Sequence, residues 1–307
     1  TTDALTLDGA RDKIQALMRL GVHVSIAGGF VEALERASRL GCTTMQLFSR
    51  SPRGGPAPAL RASVCRTFTS QRRQRAITPL IVHSPYIINL ASPDRAMFAQ
   101  SLRLYQEEYA RCEALGADYL VTHVGSHRGA GETAGIRRVV EALNRTLTRA
   151  KGAVMIVLEN TAGAGQGLGD RFEQLAQMRR GVERQERIGI CLDTAHLFAA
   201  GYAIHMEDGL SAMCEEFSRV VGWEHLKVVH LNDSKAAFDS HVDRHWHIGQ
   251  GHIGLEAMRR IVTHPHLGQA PLILETPKKT PDDDPRNLAV VRALRQGTAL
   301  SAASNLR

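Results

Sequence analysis

The chain has 307 residues, and Lys and Arg outnumber Asp and Glu by 38 to 31 for a formal charge of +7, a balance that favours a polyanionic partner such as nucleic acid. A 43% hydrophobic and 5% aromatic content is ordinary for a globular protein and allows one large core. No stretch approaches the roughly 18 uninterrupted apolar residues of a membrane span, and the start TTDALTLDGARDKIQAL lacks the marks of a secretory signal.

Residues 1–19 read as an N-terminal extension. Eight short runs rich in Val, Ile and Leu follow: 20–26, 43–49, 78–84, 118–123, 153–160, 187–193, 226–232 and 271–276. Between them lie segments with apolar residues at three- and four-residue spacing, such as VEALERASRL, RAMFAQSLRLYQEEYARCEALG and TAGIRRVVEALNRTLTRAKG, with Gly near several ends. Eight strand–helix units predict an α/β fold, the TIM (β/α)8 barrel, over 20–296, because closure removes the exposed edges of an open sheet. Residues 297–307 read as a C-terminal tail. The basic clusters QRRQR at 71–75 and RR at 179–180 fall in helical segments, where a solvated face competes evenly with a binding role.

In such a barrel, chemistry sits at the C-terminal ends of the strands. Seven of the eight runs place a His, Asp or Glu there: His23, His83, His123, Glu159, Asp193, His230 and Glu275. One such residue would more often be structural. So many around one mouth are costly to bury unless paired or coordinated, and divalent metal is the simplest common partner for mixed imidazole and carboxylate. CLDTAH adds His196 beside Asp193, and VDRH adds Asp243 and His245. Five histidines and four carboxylates exceed the ligand set of one ion and suit two or three zinc-like ions sharing carboxylates. Three such ions would leave a net charge of about +2 on the site, suited to phosphate and to in-line displacement at phosphorus.

The five cysteines, Cys42, Cys65, Cys112, Cys191 and Cys214, are widely spaced and free of CxxC, which argues for reduced, mostly buried thiols in a cytoplasmic protein. GAGQGLG at 163–169 meets neither the GxGxxG nor the P-loop pattern and reads as a sharp turn or a close backbone approach.

With HSPYIINL, HVGSH, LENTAGAGQGLG, CLDTAHLFAAGY, HLNDSKAAFDSHVDRH and LILETP in order, the sequence resembles the endonuclease IV family of zinc-dependent apurinic/apyrimidinic endonucleases over about residues 20–296. The resemblance implies a DNA repair enzyme of base excision repair that hydrolyses the phosphodiester 5′ to an abasic site in double-stranded DNA, leaving a 3′-hydroxyl and a 5′-deoxyribose phosphate. It also implies 3′-repair phosphodiesterase or phosphatase activity and a monomeric state. One zinc would be held by His83, His123 and Glu159, a second by Glu159, Asp193, His230 and Glu275, and a third by His196, Asp243 and His245, with Mn2+ admissible at one site. Glu159, Glu275 and His123 are the catalytic candidates. Arg53 and Tyr86 would meet DNA, and His23, His127 and His247 are candidates for orienting ligands or facing phosphate. Departures from the family pattern are Ser51, Gly54 and Gly55 in the Arg53 loop and Val124 in HVGSH.

Two rival readings remain at this stage. A sugar isomerase or epimerase on the same type of barrel would need a smaller metal set, which His196, Asp243 and His245 exceed. A non-catalytic lesion-binding protein would retain DNA without nicking it.

Overall fold

A computed structural model describes residues 18–53 and 57–298. The proposed extension and tail fall almost wholly outside the described residues, as do Gly54 and Gly55. Eight parallel strands close into a barrel: β1 (Leu20–Val24), β2 (Met45–Phe48), β3 (Leu80–His83), β4 (Tyr119–Thr122), β5 (Met155–Glu159), β6 (Ile188–Asp193), β7 (Leu226–His230) and β10 (Leu272–Leu274). β10 pairs with both β1 and β7 and completes the ring. Each strand lies inside one of the eight apolar runs and is shorter than it, since the flanking residues belong to turns.

Among the described residues the helices are α1 (Phe30–Arg39), α2 (Ala62–Gln74), α3 (Arg95–Leu115), α4 (Glu132–Leu147), α5 (Phe172–Gly181), α6 (Thr194–Ala199), α7 (Glu207–Val220), α8 (Leu255–Thr263) and α9 (Asp283–Gln296), with the short α6 wholly buried at the mouth. Their boundaries have local causes. Asp94 caps α3 by accepting the Met97 N–H at 2.7 Å, and Gly116 ends it with a left-handed backbone, a conformation that costs glycine little. Asp193 caps α6 by accepting from the His196 N–H at 2.9 Å. In the basic cluster of α2, Arg72 is buried, with its guanidinium on the Ile77 and Gly116 carbonyls and the Asp118 carboxylate, so this residue braces the fold and does not form a solvated face.

Strand alternation builds the site. The barrel interior holds one apolar layer, Ile81, Val121, Val157, Cys191, Val228 and Ile273, one residue from each of six strands. Side chains two residues apart on a strand share a face, so the next inward positions toward the mouth are His83, His123, Glu159, Asp193, His230 and Glu275. The apolar layer is the floor of the site, and the ionisable residues form the ring above it.

A two-stranded antiparallel ribbon, β8 (Asp233–Ser234) with β9 (His245–Trp246), rises between β7 and α8. Asp233 anchors its base, accepting backbone N–H groups from Ser234, Gly251, Ile253 and Gly254.

Candidate metal centre

Glu159, fully buried at the end of β5, turns its two oxygens to different neighbours. Oε2 lies 3.2 Å from His83 Nε2 and 2.9 Å from His123 Nε2, whereas Oε1 lies 2.8 Å from His230 Nδ1. His230 Nδ1 is also 3.2 Å from Glu275 Oε2 and 3.9 Å from Asp193 Oδ2. Two groups able to hold a metal ion thus share this carboxylate: His83, His123 and Glu159, and Glu159, Asp193, His230 and Glu275, with ligand atoms within 4.8 Å of one another in each. Asp193, His196 and His245 form a third such group. Asp243 closes it, with oxygens 3.2 Å from His196 Nε2 and 3.2 Å from His245 Nε2.

Hydrogen bonds at the far side of each ring fix which nitrogen faces inward. His83 Nδ1 donates to the Ser84 carbonyl at 2.7 Å and His196 Nδ1 to the Asn160 carbonyl at 2.9 Å, leaving each Nε2 turned toward carboxylate. His245 Nε2 is buried without a hydrogen-bond partner, facing Asp193 and Asp243. An imidazole lone pair opposed to a carboxylate needs a cation between them, and this nitrogen and oxygen donor set fits a divalent ion of the zinc type.

Where no metal takes that place, protons do. Burial disfavours ionised Glu159, but the His123 and His230 imidazoles override it and hold the carboxyl well below its usual range. Burial likewise works against the His196 imidazolium, yet Asp193 and Asp243 push its pKa up to about 10, while His196 and His245 pull Asp243 down to about 2 against desolvation. Cys191 approaches Glu159 and His230 but belongs to the apolar floor, and burial pushes its thiol up to about 12, so it keeps its proton. All five cysteines are free and buried.

The structure brings all nine residues singled out as ligands into this one cluster, and it treats the other candidates unequally. Tyr86 is 62% exposed and stands over the cluster with its ring 5.4 Å from Phe48 and 5.6 Å from His83. Arg53 is exposed in the loop after β2. His23 reaches the cluster, its Nδ1 3.4 Å from Glu275 Oε1. His127 instead accepts the Gly131 N–H in the turn before α4, and His247 accepts from Asn287 of α9, so neither hydrogen-bonds to the cluster.

Sequence reasoning missed three positioning residues. Gln46, inward on β2, accepts from His230 Nε2 at 2.8 Å and donates to Glu275 Oε1 at 2.6 Å, with His23 Nδ1 2.9 Å from the same amide nitrogen. Asn160 accepts the Asp193 N–H at 2.6 Å. Asn232 donates to Asp193 Oδ2 at 2.7 Å and accepts the Glu275 N–H at 2.8 Å. Asn160 follows Glu159 in ENTAG and Asn232 lies two residues after His230 in HLNDSK, a usable signal. Gln46 had one weaker signal, as the lone amide in an otherwise apolar strand. The glycine-rich segment serves close approach: at Gly163, whose φ is +76°, a side chain would meet His241 Nδ1 at 2.8 Å, and His241 ties the Asp243 loop to the Ala162 carbonyl.

Comparison with known proteins bears on family and fold. Residues 34–296 match the family model described as xylose isomerase-like TIM barrel. The chain is 42% identical over 279 residues to a protein named "Probable endonuclease 4" from Halothermothrix orenii, covering 91% of this chain and 100% of that one. Endonuclease IV from Thermus thermophilus superposes with a TM-score of 0.81 at 35% identity, covering 91% of this chain and 100% of that one. A D-tagatose 3-epimerase-like protein superposes at 0.66 with 17% identity over 90% of this chain and 97% of that one, a likeness of fold alone.

Proposed function

Because the chain belongs to the endonuclease IV family of the xylose isomerase-like TIM barrels, we propose that it is a zinc-dependent DNA repair nuclease that hydrolyses the phosphodiester 5′ to an abasic residue. The observation that carries this reading is the division of Glu159 between two ligand groups, with a third group sharing Asp193 beside them. A sugar isomerase needs no such extended set.

His83, His123 and Glu159 would hold one ion, Glu159, Asp193, His230 and Glu275 a second, and His196, Asp243 and His245 a third. Ions bound there would supply water activation and would offset the charge of phosphate and leaving oxygen. The rest is done by the chain. The buried Glu159 and Asp193 keep adjacent groups at fixed separation, and hydrogen bonds at the outer nitrogens of His83, His196 and His230 hold the rings in register. The apolar floor keeps water away from below. Tyr86 and Phe48 present aromatic faces beside the ring, placed to stack against or wedge a distorted duplex. Arg53 extends from the same side of the mouth toward DNA.

A duplex bearing one tetrahydrofuran abasic analogue tests this directly, with native, chelator-stripped and zinc-restored protein. A single cut 5′ to the analogue leaving a 3′-hydroxyl, lost on stripping and restored by zinc, is expected. Binding without a cut would assign the chain to lesion recognition alone, and absence of both would reopen carbohydrate chemistry.

A further inference from the structure

The chain has six lysines, and three of them, Lys235, Lys278 and Lys279, lie in the loops after β7 and β10, at the mouth of the barrel. Lys278 is engaged, its Nζ 2.6 Å from the His23 carbonyl and 2.7 Å from Asp284. That is the one lysine–carboxylate pair among the described residues. Lys235 and Lys279 have none, although both are exposed. Instead they converge on one indole: Lys235 Nζ is 4.2 Å and Lys279 Nζ 5.6 Å from the centre of the Trp246 ring.

Trp246 is a firm support. Its backbone pairs with Asp233 across the ribbon, whose base Asp233 pins, and the next residue, His247, is tied to Asn287. Because adjacent strand residues face opposite ways, the indole points away from the cluster that His245 enters. Placed 4.2 Å and 5.6 Å from one ring centre, the two ammonium groups lie at most about 10 Å apart, within a Debye length, and repel each other, while an aromatic face at an exposed site offsets little of that repulsion. An anion seated between them removes the repulsion, and lysine binds phosphate as a point charge.

We propose that Lys235 and Lys279, gathered over Trp246, form a seat for one backbone phosphate of the DNA, separate from the scissile phosphate at the metal centre. The proposal rests on the reading of the chain as a DNA endonuclease. Lys279 is four residues beyond Glu275, a reach of at most roughly 14 Å, so the phosphate belongs to a nucleotide close to the lesion.

The test uses the zinc-loaded protein and a fluorescent duplex already nicked 5′ to a tetrahydrofuran residue, so that nothing is cleaved during titration. Binding is followed by anisotropy over a range of KCl. Each neutralised phosphate contributes about 0.9 to the slope of log affinity against log salt. The Lys235→Ala/Lys279→Ala variant should lose about that much slope. Trp246→Leu, which keeps both charges but removes the ring that gathers them, should bind several-fold more weakly at fixed salt. Lys151→Ala/Lys227→Ala removes the same charge at the opposite end of the barrel and should leave the slope intact. If the mouth variant keeps the parental slope, or the control variant loses as much, the seat is refuted while the nuclease reading stands. If the parent itself binds no duplex, both fall together.

Discussion

Gln46, which the histidine and carboxylate pattern did not reveal, ties three residues of the candidate metal centre together. It stands between His230, Glu275 and His23 on β2, which like β1 supplies no candidate ligand. Gln46→Ala leaves the His230 outer nitrogen and one Glu275 oxygen without their partner. The group Glu159, Asp193, His230 and Glu275 should then hold its ion about 10–100-fold more weakly, the usual cost of losing such an outer partner. Competition with a chromogenic chelator measures this, and unchanged release of all ions would contradict it. The candidate ligands were legible because each follows an apolar run or sits in a short motif, and strand periodicity turns that position into an inward one. Gln46 was not, because an amide marks no chemistry until its neighbours are known. The same limit explains His127 and His247: their place in histidine-rich motifs said nothing about which way the rings turn, and the turn before α4 and helix α9 claim them.

At the scale of elements, α3 holds the loop after β2 in place. Arg50 Nε lies 2.9 Å from Glu108, which is fully buried, and Arg111 donates to the Ser49 hydroxyl at 2.7 Å and the Pro58 carbonyl at 2.8 Å. Both ends of the segment carrying Arg53 are thereby stapled to one helix. Arg50→Ala would leave the buried Glu108 carboxylate with only Ser49 and Arg111 beside it, a loss of up to about 3–5 kcal/mol, readable as a lower urea midpoint. Restoring Glu108→Gln in the same chain should recover part of it. All eight barrel strands and their helices were legible from periodicity, but this brace was not, since its partners lie 58 residues apart. The β8–β9 ribbon was equally invisible: two residues per strand are too few for any alternation to register.

For the whole molecule, the cluster of imidazoles and carboxylates couples stability to pH. His196, raised from 6.5 to about 10 by its carboxylates, stabilises the metal-free fold fully below pH 6.5, and that contribution is lost as pH rises through about 10. Metal ions compete with the same protons, so their binding strengthens over that window. The zinc-induced rise in Tm should therefore be larger at pH 9 than at pH 6.5. Equal shifts at the two values would contradict the assignment of His196 to an ion.

The apolar floor formed by Ile81, Val121, Val157, Cys191, Val228 and Ile273 also makes the barrel a vessel with one opening. On the proposed function, ions would enter and leave through the doorway that DNA would cover, and with the duplex seated a chelator would have no path to them. Metal loss from the complex should then proceed at the rate of DNA departure, so that the nucleic acid would act as the stopper that keeps such ions in place.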